Sequence, residues 1–271
     1  MDIEKLNLNL IQLKKDVLTM IYSAKSGHPG GSLSCAEILI FLYFREMNIY
    51  PKKPEFNNRD RLVLSKGHAC PALYSVLCQK DFFPSSNLFG LRKIDSYLEG
   101  HPDINIPGID APSGSLGMGL SQGLGMALGA IYSKLDFRTY VILGDGDMEE
   151  GNTWEAFMAA GHYKIDNLVA ILDANKLQGE DSVEKQMNYF PVMEKVSSFG
   201  WNAIEIDGHD FEQIKNALDI AKKVKTKPTF ILAHTIKGKG VSFMENSRYW
   251  HGSVRITDDE LKRAMDELKV E

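Results

Sequence analysis

The chain has 271 residues, 44% of them hydrophobic, enough to bury a substantial core as one α/β domain over residues 1–271. A net charge of −5 offers no basic stripe for nucleic acid, and no apolar run approaches the length of a membrane span. Cys35, Cys70 and Cys78 lack paired metal-ligand spacing and Asp2 and Glu4 break any secretory pattern, so buried thiols in a cytoplasmic protein are expected.

Apolar residues at Ile3, Leu6, Leu10, Leu13, Val17, Met20, Ile21 and Ala24 recur at helical spacing and predict a helix over residues 2–25. Gly27-His28-Pro29-Gly30-Gly31 stops it. Ser34-Cys35-Ala36-Glu37 has capping-box spacing and predicts a second helix from Ser34 through Phe44, leaving His28 in the turn between the two. Leu62-Val63-Leu64 reads as a short buried strand ending in Ser65-Lys66-Gly67-His68, with a helix starting near Pro71. His101 follows in the loop Gly100-His101-Pro102. Gly114-Ser115-Leu116-Gly117-Met118-Gly119 then leads to Gly123, Gly125 and Gly129. Glycine weakens an isolated helix, so this density implies close approach to another backbone or a ligand. Helix packing is the expectation for the later glycines, and a ligand at Gly114 to Gly117 remains open.

Tyr140-Val141-Ile142-Leu143 is an apolar strand that breaks into Gly144-Asp145-Gly146-Asp147. Trp154, Phe157, Met158 and Gly161 continue at helical spacing, and Leu168 to Leu172 forms a second buried strand closing on Asp173-Ala174-Asn175. A strand, helix, strand unit makes two parallel strands with a right-handed crossover, so Asp145 and Asn175 should meet at one sheet edge. Ligands bind at that edge in open α/β sheets. A carboxylate and an amide oxygen, with the Leu177 carbonyl as a third donor, suit Mg²⁺ that keeps positions for water and phosphate oxygens. The glycines flanking Asp145 allow an anion to come close to the backbone, so a metal-bridged diphosphate fits. Gly-Asp-Gly alone is equally an ordinary turn; the second strand ending in Asn favours the metal.

Past Asn175 the pattern is sparse until a strand of alternating polarity at Trp201 to Ile206. A helix from Phe211 to Lys222 and a strand from Thr229 to Ala233 follow. Lys237-Gly238-Lys239-Gly240 reads as a basic flexible loop, open to phosphate or to solvent. Thr257-Asp258-Asp259-Glu260 is a further capping box before a charged helix. Four of the seven histidines, His28, His68, His101 and His251, lie in glycine- or proline-flanked turns, either as solvated loop residues or as a shared polar cleft. His162, His209 and His234 read as structural. Strands separated by helices predict a mostly parallel sheet flanked by helices.

Taken in order, Ser26-Gly27-His28-Pro29-Gly30, Ser65-Lys66-Gly67-His68, Gly100-His101-Pro102, Gly114-Ser115-Leu116-Gly117, Gly144-Asp145-Gly146, Glu150-Gly151, Asn175 and Trp250-His251-Gly252 resemble the N-terminal, diphosphate-binding half of transketolase over nearly the whole chain. The resemblance implies a three-layer thiamine diphosphate-binding fold. It implies Asp145, Asn175 and the Leu177 carbonyl as ligands of Mg²⁺, with Ca²⁺ or Mn²⁺ as substitutes. Gly146 would lie against the diphosphate, and Gly114, Ser115 and Leu116 against thiamine diphosphate. His28, His68, His101 and His251 would line the channel to the sugar, with His68 and His251 also near the diphosphate. Glu150 and Glu155 match acidic positions at the subunit contact that are linked to cofactor activation. Met118 departs from the Gln often found there, which leaves the local hydrogen bonding open.

A full transketolase also has a pyrimidine-binding domain, which supplies the glutamate that protonates the aminopyrimidine, and a C-terminal domain; neither is found here. The expectation is therefore one subunit of a split transketolase of the pentose phosphate type, working with a C-terminal subunit that carries the pyrimidine-binding domain, as a heterotetramer of two copies of each. Such an enzyme moves a two-carbon ketol unit from a ketose phosphate to an aldose phosphate with the cofactor as electron sink. The alternatives are a subunit of a 1-deoxyxylulose-5-phosphate synthase-like enzyme and a non-catalytic assembly subunit.

Overall fold

The computed structural model describes residues 2–179 and 181–269. Helix α1 (Ile3–Ala24) starts where the Asp2 carboxylate accepts the Lys5 N–H at 3.0 Å and ends at Lys25, which takes a left-handed φ of 53°. Its stripe of Leu6, Leu13, Val17 and Ile21 is buried.

The next helix departs from the sequence expectation. The chain becomes helical at Pro29, not Ser34: α2 (Pro29–Ser34) is followed by α3 (Ala36–Phe41) and a π turn over Leu42–Glu46. Proline suits a first helical position, because its φ is preset and its missing N–H would have no partner there. The capping box fails because both of its side chains bond elsewhere. The Ser34 hydroxyl donates to Asp173 at 2.6 Å, and the Glu37 carboxylate accepts from Lys14 at 2.7 Å and His209 at 3.0 Å.

The chain continues through β1 (Arg61–Leu64), α4 (Cys70–Gln79), α5 (Met118–Tyr132), β2 (Thr139–Gly144), α6 (Gly151–His162) and β3 (Leu168–Ala174). Two short helices, α7 (Val183–Gln186) and α8 (Val192–Ser198), fill the stretch without sequence pattern; neither is long enough to show a periodic stripe. Next come β4 (Asn202–Asp207), α9 (Phe211–Lys223), β5 (Thr229–His234) and α10 (Asp258–Glu267), the last opening on the expected capping box of Thr257 and Glu260.

The five strands lie in the order β1-β2-β3-β5-β4, and every pairing is parallel. All residues of β2 and β3 are buried, as required where helices cover both faces of a parallel sheet. Alternate residues feed two cores. Leu62, Tyr140, Ile142 and Ile171 pack with α1, α3, α4 and α9 on one face, while Val63, Val141, Leu143 and Leu172 pack with α5, α6 and α8 on the other. The result is three layers. Among the described residues no helix is long and apolar enough to cross a membrane.

Candidate functional site at the C-terminal edge of the sheet

Parallel strands all end on one edge, and here the loops leaving β1, β2, β3 and β5 converge. They deliver Lys66 and His68, Asp145 and Gly146, Asn175 and Leu177, and Lys237 to a cavity of about 140 Å³. Gly144 pairs with Asp173 across β2 and β3, which sets Asp145 beside the β3 exit. The Lys176 N–H donates to Asp145 Oδ2 at 3.0 Å.

Asp147 ties the loops together. Its Oδ1 accepts the Ser65 hydroxyl at 2.7 Å and the Gly117 N–H at 2.8 Å, and its Oδ2 accepts the Gly144 N–H at 2.8 Å. This fully buried residue thereby connects the loops after β1 and β2 with the start of α5. The sequence signal for it is thin: a second acid two positions past Asp145.

Two buried lysines face the cavity, and neither role is legible from spacing. Lys66 is paired with Asp173 and donates to the Gly31 carbonyl at 2.8 Å. Burial works against the Asp173 carboxylate, but Lys66, Ser34 and Thr235 outweigh it and hold the carboxyl below its ordinary range. The Lys237 loop is not solvated: Lys237 is 1% exposed, and its ammonium donates to the Leu177 carbonyl at 2.7 Å. Burial, then Lys66, lowers the Lys237 ammonium to about 8.

The donor set fits a hard divalent cation. Asp145 offers a carboxylate and Asn175 and Leu177 offer neutral oxygens, which is oxygen-only ligation of the Mg²⁺ type. Burial pushes the Asp145 carboxyl up to about 7, against the lowering hydrogen bond from Tyr189. An added cation beside it would favour the charged form. The Leu177 oxygen also accepts from the Lys237 ammonium.

Three of the four loop histidines form one cluster. His28 and His68 have ring centroids 5.2 Å apart, His68 and His251 5.5 Å, and His28 and His251 5.9 Å. Glycines make room for them, since a side chain at Gly31 would press on His68 and one at Gly252 on His28. Lys237 Nζ lies 2.7 Å from His251 Nδ1 and Arg92 Nη2 lies 3.4 Å from His28 Nδ1, so both Nδ1 atoms accept and the ring proton resides on Nε2. Burial, then Arg92, lowers His28 to about 4; burial, then Lys237, lowers His251 to about 3; burial, then Lys66, carries His68 well below its ordinary value. All three are neutral imidazoles at pH 7. His101 stands apart, exposed, its ring against Gly114, which is free to adopt a φ of 137°.

A family profile described as transketolase, thiamine diphosphate binding domain, matches residues 7–271. The chain belongs to this family. It is 41% identical over 268 residues to one of the named subunits of the apulose-4-phosphate transketolase of Phocaeicola vulgatus, covering 99% of this chain and 95% of the relative. It is 42% identical to 6-deoxy-6-sulfo-D-fructose transketolase subunit SqwG of a Clostridium species, covering 96% and 94%. The solved transketolase of Campylobacter jejuni superposes with a TM-score of 0.94 at 35% identity, covering 99% of this chain and 43% of that one. The chain therefore spans nearly all of the two subunit relatives and less than half of the transketolase of known structure.

In this transketolase domain the other residues the sequence points to are less buried. Leu116 lines the cavity, and Ser115, Glu150 and Glu155 are exposed. At Met118 the local bonding is resolved: Asn152 Nδ2 donates to the Gly117 carbonyl at 3.0 Å and contacts the Met118 sulfur at 3.3 Å. The expectation that helix packing explains the later glycines of α5 holds for Gly123, which faces Val141. Gly125 and Gly129 have nothing opposite them within this chain.

Proposed function

We propose that the chain is the thiamine diphosphate-binding subunit of a two-chain transketolase, transferring a two-carbon ketol unit from an anionic ketose to an aldose phosphate. The observation carrying this reading is the meeting of Asp145, Asn175 and the Leu177 carbonyl in one cavity with Lys66 and Lys237. The three oxygens would hold Mg²⁺, and the two ammonium groups would balance the diphosphate. Gly146, and Gly114, Ser115 and Leu116 opposite, would lie along the cofactor. Once bound, thiamine diphosphate supplies the electron sink for carbon–carbon cleavage.

The chain's own contribution is positioning and proton transfer. His28, His68 and His251 are uncharged at neutral pH; with Nδ1 of His28 and His251 already accepting from Arg92 and Lys237, those two rings would present Nε2–H to sugar hydroxyls and carbonyl, while His68 offers one donor and one acceptor. His101 extends the row outward. The relatives named for apulose 4-phosphate and 6-deoxy-6-sulfo-D-fructose support a donor with an anionic end.

The pyrimidine-binding partner would cover the face of α5 and α6 next to the cavity. Leu116 is 40% exposed, Met118 44%, Ile131 48% and Tyr132 81%, alongside open Gly125 and Gly129. Glu150 and Glu155 would meet the partner there. Residues 1–271 then act as one domain, in a cytoplasmic heterotetramer of two copies of each chain.

The test is cofactor binding measured by calorimetry. Asp145→Ala is expected to abolish metal-dependent thiamine diphosphate binding, and wild-type affinity in that variant would refute the site. With the partner added, xylulose 5-phosphate is expected to be turned over and pyruvate not.

A further inference from the structure

The segment between β3 and β4 has the least sequence pattern, yet it makes the closest side-chain contact with Asp145. The Tyr189 hydroxyl donates to Asp145 Oδ1 at 2.6 Å, and the two residues are 3% and 4% exposed. The other carboxylate oxygen accepts the Lys176 N–H at 3.0 Å. With one donor on each oxygen, the plane of the carboxylate is set, while each oxygen keeps a lone pair. Tyr189 is itself held. Its ring stacks on Phe190 with centroids 4.6 Å apart, and its carbonyl accepts Lys195 Nζ at 2.7 Å. Phenylalanine would satisfy the packing equally well, so the hydroxyl's work is at Asp145.

We propose that Tyr189 is a positioning residue for the divalent cation, aiming the Asp145 carboxylate into the cavity and confining it to a geometry that a small, strictly octahedral ion accepts. This rests on Asp145 being a metal ligand. Outer hydrogen-bond partners of ligands typically govern 10- to 100-fold in metal affinity. Mg²⁺ demands near-ideal octahedral geometry, whereas Ca²⁺ tolerates irregular ligation. A carboxylate released from Tyr189 therefore loses more for Mg²⁺ than for Ca²⁺.

The experiment titrates the full 271-residue chain with Mn²⁺ in excess thiamine diphosphate, reading water-proton relaxation, with Mg²⁺ and Ca²⁺ as competitors. Tyr189→Phe is expected to weaken Mg²⁺ by about 10-fold and Ca²⁺ by less. Lys195→Met, which frees the Tyr189 carbonyl and removes the cation over the Trp154 ring but leaves the Tyr189 hydroxyl on Asp145, is expected to leave the ratio of the two affinities unchanged. That ratio does not depend on the fraction folded, so it still reports if Tyr189→Phe is less stable. Loss of Mn²⁺ binding in Asp145→Asn with an unaltered ratio in Tyr189→Phe would overturn the role of Tyr189 and leave the site standing. Unchanged Mn²⁺ binding in Asp145→Asn, or none in the wild type, would overturn both.

Discussion

Lys14, Glu37 and His209 form a triad away from the cavity, the lysine and carboxylate buried and the imidazole half-buried, and it fixes the loop that presents Lys237. His209 donates from Nδ1 to Glu37 at 3.0 Å and accepts the Ile236 N–H at Nε2 at 2.8 Å, one residue before Lys237. Burial alone would raise the Glu37 carboxyl, but Lys14 and His209 override it and the net shift is downward from 4.5. A carboxyl lowered in the folded state contributes stability that is complete above its unfolded value and lost as pH falls through its folded value. Glu37→Gln strands the Lys14 ammonium and is expected to cost about 3–5 kcal/mol at pH 7. Urea melts should show the gap to wild type shrinking below pH 4.5, since acid removes the same charge from the wild type. A gap independent of pH would contradict the triad's role.

At the scale of elements, the crossing of α6 with the turn that leads into β4 depends on one missing side chain. A Cβ on Gly161 would run into the carbonyl oxygen of Phe199, a backbone atom that has nowhere to yield. Trp201 Nε1 donates to the Phe157 carbonyl at 2.8 Å, locking the same crossing from the other side. Gly161→Ala is therefore expected to destabilise the protein by about 1–3 kcal/mol despite its better helix propensity. Gly129→Ala, on the same kind of helix but facing open space, should be neutral or slightly stabilising. Thermal melts of the two variants separate backbone collision from propensity, and equal shifts would show that packing at Gly161 is not decisive.

For the molecule as a whole, the sheet's C-terminal edge gathers two buried lysines and neutral histidines around one cavity, with an apolar face left open along α5. A face with this much exposed aliphatic and aromatic surface is the kind that partners cover. Addition of the proposed pyrimidine-binding chain is expected to slow amide hydrogen exchange over residues 115–132 while leaving α9 unchanged. Unaltered exchange along α5 in an active mixture would place the partner elsewhere.

Much of this plan is legible without coordinates, for a definite reason. Continuous apolar runs and period-3.6 stripes are printed in the sequence by burial itself, so β2 and β3 could be drawn from Leu143 and Leu172 and their neighbours, and α1 and α9 from Leu13 and Leu218 and theirs. Parallel pairing through a right-handed crossover then brought Asp145 and Asn175 together. Long-range partnerships leave no such trace. Ser34 looks like a cap and instead bonds Asp173, Lys237 looks like a solvated loop cation and is buried against Leu177, and Tyr189 sits in an unpatterned stretch yet grips Asp145. Local periodicity settles which residues face a core; only the folded chain decides which buried polar atoms find one another, because those bonds join segments whose spacing along the sequence carries no repeat.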